Sequence, residues 1–248
     1  MNKATPAGKT KEIRVEEQAK RIRVQFGGET VADSVRTKLL FEEGYFPVIY
    51  FPFEDLRRDL FVESAHETHC PWKGDAAYWS IKVGDKLAEN AVWYYPTPLP
   101  ACAAIEGHAS FIFKAVDGWL EEDTPLYAHA RNPYTRIDTL RSSRRVVVKA
   151  KGETLADTTR AVFLYETGLP ARYYIPAEDC RMELMRPSET RTVCPYKGVA
   201  SYYSAALPGG EVEDIAWFYE QPWPEVSAVK DHLAFYPERV DAIEVADK

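Results

Sequence analysis

A chain that writes the same unit twice is constrained before any element is assigned, and this one does so. At the offset that places Cys70 on Cys194, "CPWKG" falls on "CPYKG", "GGETVADSVR" on "KGETLADTTR", "IYFPFEDLRRDL" on "YYIPAEDCRMEL", and "AVWYYPTPLP" on "IAWFYEQPWP", without a gap. Roughly a third of the positions between Gly28 and Asp117 are identical in the two copies. Two copies of this length do not make a solenoid, which stacks many short units. They predict two homologous domains, over residues 20–118 and 144–248, after an N-terminal extension over 1–19.

The local signal is β. "RIRVQF" alternates Arg21 and Arg23 with Ile22, Val24 and Phe26, the period of a half-buried strand, and "SRRVVVKAKGE" repeats the pattern. "DSVRTKLLFEEG" is ambiguous alone, but its twin "DTTRAVFLYETG" is rich in β-branched and aromatic residues, so both are read as strands. Further strands are expected at "PVIYFP", "RDLFVE", "AAYWSIKV", "AVWYY" and "HASFIF". Seventeen prolines between short runs suit a mainly β fold better than a helical bundle. The segment 119–143 between the domains holds too many Tyr, Arg and Leu for a flexible linker, and an ordered strap is expected there.

Net charge is −7, with basic residues scattered among acidic ones, so the footprint of a nucleic-acid binder is missing. No apolar run reaches the roughly 20 residues of a membrane span. The start "MNKATPAGKTKEIRVEEQAK" has charges where a signal peptide needs an apolar stretch, which reads as a soluble cytoplasmic protein. Its four cysteines form no CxxC pair, so reduced thiols are the default.

A side chain kept in both copies serves something both domains need, folding included. In "AAYWS" and "ASYYS", alternation puts Ala76, Tyr78 and Ser80 on one face and Ala200, Tyr202 and Ser204 on its twin. Trp93/Trp217 and Tyr95/Tyr219 share a face by the same rule, and Tyr50/Tyr174 is a further kept aromatic pair. Small residues beside aromatics can floor a pocket for a planar ligand, or interdigitate as core. Arg57 and Asp59, like Arg181 and Glu183, stand two apart on one side of a strand, to hold a ligand's carboxylate or phosphate or to form a structural ion pair. Cys194, activated by Lys197, is a nucleophile on one reading. On the other, Cys-Pro-aromatic-Lys-Gly is a turn, with Pro fixing φ and Gly permitting a positive one. No fixed His or Asn partner for the thiol is evident. "HETHC" (His66, Glu67, His69, Cys70) occurs in the first copy alone. It lacks the helical HExxH spacing and a second ligand cluster, and reads as an exposed polar loop, with no metal.

Together "GGETVADS", "EDLRRDL", "CPWKG", "AAYWS" and "AVWYYP" resemble the domain of unknown function 427 family. The second copy, "RYYIPAEDCRMELMRPSETRTVCPYKGVASYYS", resembles it more closely, and "HARNPYTRIDTLRSSRR" looks like the link of tandem members. The family is sometimes labelled nucleotidyltransferase-like, a label these residues do not support. The resemblance implies two β-tent-like domains with a concave aromatic face, related to methionine sulfoxide reductase type B and to the drug-binding domain of cereblon. The paired CxxC motifs that hold zinc in those relatives are missing here, so no structural zinc and no cofactor are expected. Trp72 stands where the family favours Tyr, and His66 and His69 where the second copy has Thr190 and Val193, which favours the second domain as the intact site.

The leading expectation is a small polar or planar metabolite bound in an aromatic pocket of one or both domains. Its residues would be Tyr174, Arg181, Tyr202 and Trp217 in the second domain, with Arg57, Tyr78 and Trp93 in the first. Two alternatives stand beside it. One is an enzyme of group-transfer or hydrolytic type using Lys197 or Cys194 with Glu183 as acid or base. The other is a protein-interaction module using β edges and aromatic patches.

Overall fold

The computed structural model describes residues 11–247. The chain divides between Asn132 and Pro133 into two compact units, each mainly β. The first contains β1 (Ile13–Glu17), β2 (Ile22–Phe26), β3 (Glu29–Ser34), β4 (Lys38–Glu42), β5 (Val48–Pro52), β6 (Phe61–Cys70), β7 (Gly74–Val83), β8 (Lys86–Tyr94), β9 (His108–Phe111), β10 (Gly118–Glu121) and β11 (Thr124–Pro125). They form a seven-stranded antiparallel sheet, β1-β4-β5-β9-β8-β7-β6, and a smaller one, β11-β10-β2-β3.

The second unit contains β12 (Ile137–Arg141), β13 (Val146–Ala150), β14 (Glu153–Thr158), β15 (Val162–Glu166), β16 (Arg172–Pro176), β17 (Met185–Cys194), β18 (Gly198–Leu207), β19 (Gly210–Tyr219), β20 (His232–Phe235) and β21 (Ala242–Val245). Its sheets, β12-β15-β16-β20-β19-β18-β17 and β14-β13-β21, repeat the first unit strand for strand except for β11.

Two expectations from the sequence need correcting. The "HETHC" segment is no loop: it lies in β6, paired with β7. Arg57–Asp59 and Arg181–Glu183 are not on strands either. β5 and β16 end at Pro52 and Pro176, and the chain then turns through short 3-10 segments, Phe53–Asp55 and Arg58–Leu60 in one unit, Ala177–Asp179 and Met182–Leu184 in the other.

Each unit has two cores because both faces of its large sheet are apolar. One lies between the sheets, where Ile22, Val24 and Phe26 of β2 meet Phe51, Trp79, Ile81 and Phe111. The other lies on the opposite face. There Leu40, Tyr50, Ala76 and Tyr95 pack with Cys102 and Ile105 of the 3-10 segment Pro100–Ile105. In the second unit that outer core is Leu164, Tyr174, Ala200, Tyr202, Trp217 and Tyr219, with Val226 and Val229.

Irregularities shape the large sheets. β5 pairs with β4 through Val48–Tyr50, but with β9 only through Phe51↔Ala109 and Pro52↔His108. Beyond those pairs the strands part, leaving Val48 and Ile49 across an opening from Ser110 and Phe111. β16 and β20 part in the same way after Ile175↔Leu233 and Pro176↔His232. The register also breaks between β7 and β8 and between β18 and β19, where Asn90 (φ 53°) and Asp214 (φ 47°) take the left-handed conformation. Ser80 Oγ and Ser204 Oγ accept the N–H of Asn90 and Asp214, each at 3.0 Å. The edge strands β6 and β17 also bulge, between Glu63 and Glu67 and between Ser188 and Arg191, and most of their side chains are exposed.

Candidate functional site

The two Cys-Pro-aromatic-Lys-Gly segments are hairpin turns. Cys70 closes β6 and Gly74 opens β7, and the Lys73 N–H donates back to the Cys70 carbonyl at 3.3 Å, as Lys197 does to Cys194. Gly74 (φ +102°) and Gly198 (φ +105°) take backbone angles that strain any residue with a Cβ. Each turn aims its lysine at a carboxylate. Lys197 Nζ lies 2.5 Å from Glu166 Oε2, with the side chains only 12% and 10% exposed. In the first unit Lys11 holds Glu42 Oε1 at 2.7 Å and Lys73 holds Oε2. Burial works to raise the Glu42 carboxyl, and the hydrogen bonds from the two lysines outweigh it, leaving its pKa below the usual range.

In the second unit this turn borders a cavity of about 210 Å³ in the opening beside β16. Tyr174, Tyr202 and Trp217, all expected site residues, line it together with Lys197. The Trp217 Nε1–H donates to Tyr174 Oη at 3.1 Å, and the two rings meet edge to face, 6.2 Å apart. Tyr202 Oη is 2.7 Å from Thr192 Oγ1 and 3.3 Å from Tyr236 Oη. Tyr236 in turn lies against Trp217, ring centroids 4.5 Å apart. Burial and the Tyr202 contact push the Tyr236 phenol up to about 12, so at neutral pH it is a hydrogen-bonding phenol. Tyr219 is 4% exposed and lines the same space, yet its hydroxyl has no hydrogen-bond partner among the described residues. Burial raises its pKa as well, so it stays protonated.

The cavity also contains a guanidinium. Arg172, at the first position of β16, sits over the Trp217 ring, 5.9 Å from the centroid. It has no carboxylate partner among the described residues. The three arginines of this unit that recur in the first copy are all matched: Arg145 to Asp157, Arg160 to Asp179, and Arg181 to Glu183. A guanidinium with no acid beside it keeps its fork of donors available, and that fork can grip a carboxylate through two hydrogen bonds.

The remaining expected residues are placed elsewhere. Arg181 and Glu183 form an exposed pair near Glu153, with the Arg181 N–H bonded to the Leu155 carbonyl on the side of the small sheet. Arg57 repeats this with Asp59 at 2.8 Å and Glu29 at 3.7 Å. Neither pair lines the aromatic cavity. Cys194 and Lys197 share one turn, but Glu183 does not join them there. Tyr78 and Trp93 lie on the outer face of the first unit, Tyr78 against Thr68 Oγ1 (2.9 Å) and the His66 ring, Trp93 bonded to Tyr50 Oη (3.3 Å). His69 Nδ1 contacts Asp75 at 2.5 Å. Among the described residues no three His, Cys, Asp or Glu side chains gather as a metal site.

Reading the sequence missed Glu166, Arg172, Thr192, Tyr219's role in the cavity, and Tyr236. Glu42/Glu166 and Thr68/Thr192 are identical in the two copies, so comparing the copies fully would have found them. Arg172 faces Val48 and Tyr236 faces Ile112 in that comparison, so a search for shared residues discards both.

The family model described as "Domain of unknown function (DUF427)" matches residues 14–122 and again residues 138–246. A comparison with curated proteins finds no match. Among the described residues no helix is long and apolar enough to cross a membrane.

Proposed function

The chain belongs to the DUF427 family in both of its halves, and from that premise we propose that its second domain binds a small planar metabolite carrying a carboxylate, in the cavity beside β16. The observation that carries this reading is Arg172, an arginine without an acidic partner that sits over the Trp217 ring inside an aromatic cavity. Its guanidinium takes the carboxylate. The rings of Trp217 and Tyr236 stack on the planar body, and the unpartnered Tyr219 hydroxyl supplies a further hydrogen bond. A volume of about 210 Å³ is below the roughly 300–1,000 Å³ of pockets for drug-sized ligands, which limits the ligand to one or two rings.

The test is a thermal-shift and calorimetric titration with indole-3-carboxylate. A ligand at one hundred times its dissociation constant stabilises its domain by about 2.7 kcal/mol. Arg172→Ala removes a charge-assisted bond worth about 1.5–3 kcal/mol, so affinity is expected to fall at least tenfold while the unliganded protein keeps its stability. Binding that survives Arg172→Ala undiminished, or no binding by the wild type, would overturn the proposal.

A further inference from the structure

The first domain has a cavity of its own, of about 270 Å³, in the opening where β5 and β9 part. Its chemistry differs from that of the second domain. Val48 stands where Arg172 does. Phe113 and Trp119, stacked 4.6 Å apart and within 3° of parallel, form one wall, where the second copy has Pro237 and Ile243. The mouth is edged by Phe46, which stacks on His129 at 3.6 Å. His129 comes after the segment shared by the two copies.

The polar groups of this cavity are nearly all spoken for. Both oxygens of Glu42 are held by lysines, Trp93 Nε1–H donates to Tyr50, and Trp119 Nε1–H donates to the Phe113 carbonyl at 3.3 Å. One is not. Ser110 is 1% exposed, faces Trp93 across the β8–β9 ladder, and lines the cavity, yet its hydroxyl has no partner among the described residues. A hydroxyl at the cavity wall with no protein partner offers a hydrogen bond to a polar group placed in the cavity. The second copy has Ala234 at this position, so the hydroxyl is not a requirement of the fold.

We propose that this cavity is a second ligand site, for a neutral planar molecule that carries one polar group facing Ser110. An ionised ligand is disfavoured because the lining offers no unpaired charge to meet it, and burying an unpaired charge is costly. Taken with the second-domain reading, the chain has two sites of different charge preference, set by Val48 against Arg172 and by Ser110 against Ala234. This inference does not depend on the carboxylate reading of the second domain.

The experiment is a titration of the full chain with indole, followed by the side-chain N–H resonances of the tryptophans. Trp93 and Trp119 report on the first cavity and Trp217 on the second. Indole is expected to shift the Trp93 and Trp119 signals and to leave Trp217 unmoved. Ser110→Ala, which copies the second domain and preserves the fold, should weaken binding about two- to tenfold. Val48→Arg should weaken it at least tenfold, and Arg172→Ala should leave it unchanged. If indole shifts neither Trp93 nor Trp119, shifts Trp217 alone, or binds Ser110→Ala and Val48→Arg as well as wild type, the proposal fails. Indole-3-carboxylate in a parallel titration separates this failure from that of the second-domain reading.

Discussion

Replacing Lys197 with methionine tests the buried lysine–glutamate pair of the second domain against an internal control in the first. Glu166 and Lys197 are 10% and 12% exposed, so both have lost most of their hydration. Glu166 has no second cation within hydrogen-bond distance among the described residues. Methionine keeps the length of the lysine stem and removes the ammonium, which leaves a desolvated carboxylate unpaired. Breaking such a pair from one side costs about 3–5 kcal/mol. For a unit of this length that is a fall of roughly 12–20 °C in its unfolding temperature. In the first domain Lys73→Met leaves Lys11 still bonded to Glu42 at 2.7 Å, so the loss there is nearer that of one charged hydrogen bond, about 1.5 kcal/mol. The double variant Glu166→Leu/Lys197→Met should recover most of the stability, since no lone charge remains. Acidification should also narrow the deficit of Lys197→Met, because the stranded carboxyl can take up a proton. A chain of two units does not have one well-defined unfolding temperature. Hydrogen exchange in increasing urea, read separately in peptides from β18–β19 and β7–β8, resolves each unit. A cost below about 1 kcal/mol for Lys197→Met, or an equal cost for Lys73→Met, would refute the reasoning.

Ser204→Ala takes away the acceptor for the Asp214 N–H at the bulge, and should destabilise the second unit by about 1 kcal/mol, with faster exchange at Asp214 as the local readout. Arg160 first and Thr158 second hold the Asp179 carboxyl below its usual value of 3.8. The stability this adds is present above that value and is lost as pH falls through the lower folded one, so Asp179→Asn should flatten the acid limb of a stability–pH curve. Cys180 is 9% exposed and burial pushes its thiol up to about 12. Iodoacetamide at pH 8 should therefore leave it unmodified in the folded protein and label it after unfolding, as mass spectrometry would show. Gly198→Ala places a Cβ 3.2 Å from the Gln221 carbonyl at a φ of +105°, and a loss of about 1–3 kcal/mol is expected by chemical denaturation.

The division into two like β units was legible because the repeat is ungapped and its strands alternate cleanly, as in "RIRVQF" over β2. The hairpin turns were legible too, because Pro and Gly constrain the backbone wherever they occur. Assigning strands to Arg57–Asp59 and Arg181–Glu183 failed because i, i+2 spacing also suits a tight turn, and because it passed over Pro52 and Pro176, the local marks at which β5 and β16 stop. The aromatic face came out of the period-two rule, which joined Tyr202 to Ala200 and Trp217 to Tyr219. The cavity beside it did not, because it depends on where β16 leaves β20, a long-range register that no local pattern encodes. Asking what the copies share finds what both need to fold: Tyr174 with Trp217, Lys197 with Glu166, Arg160 with Asp179. The proposed ligand preferences rest instead on residues the copies do not share, Arg172, Tyr236 and Ser110.

The bulged outer strands have a consequence for how such a chain reaches its native state. Two like sequences on one polypeptide are each other's nearest competitor during folding, since β6 of one copy is a plausible mate for β18 of the other, and a cross-paired product would trap both. The strands that end the large sheets are poor templates for that error. Ser64 and Ser188 cap the N–H groups of His66 and Thr190 inside the bulges, and Pro187 removes a donor from β17. Charged side chains also blunt each edge, Glu63 and Glu67 on β6 and Arg186 and Arg191 on β17. Straightening these edges by Pro187→Val with Ser188→Val would therefore lower the yield of refolding at high protein concentration more than it lowers the stability of the folded domain.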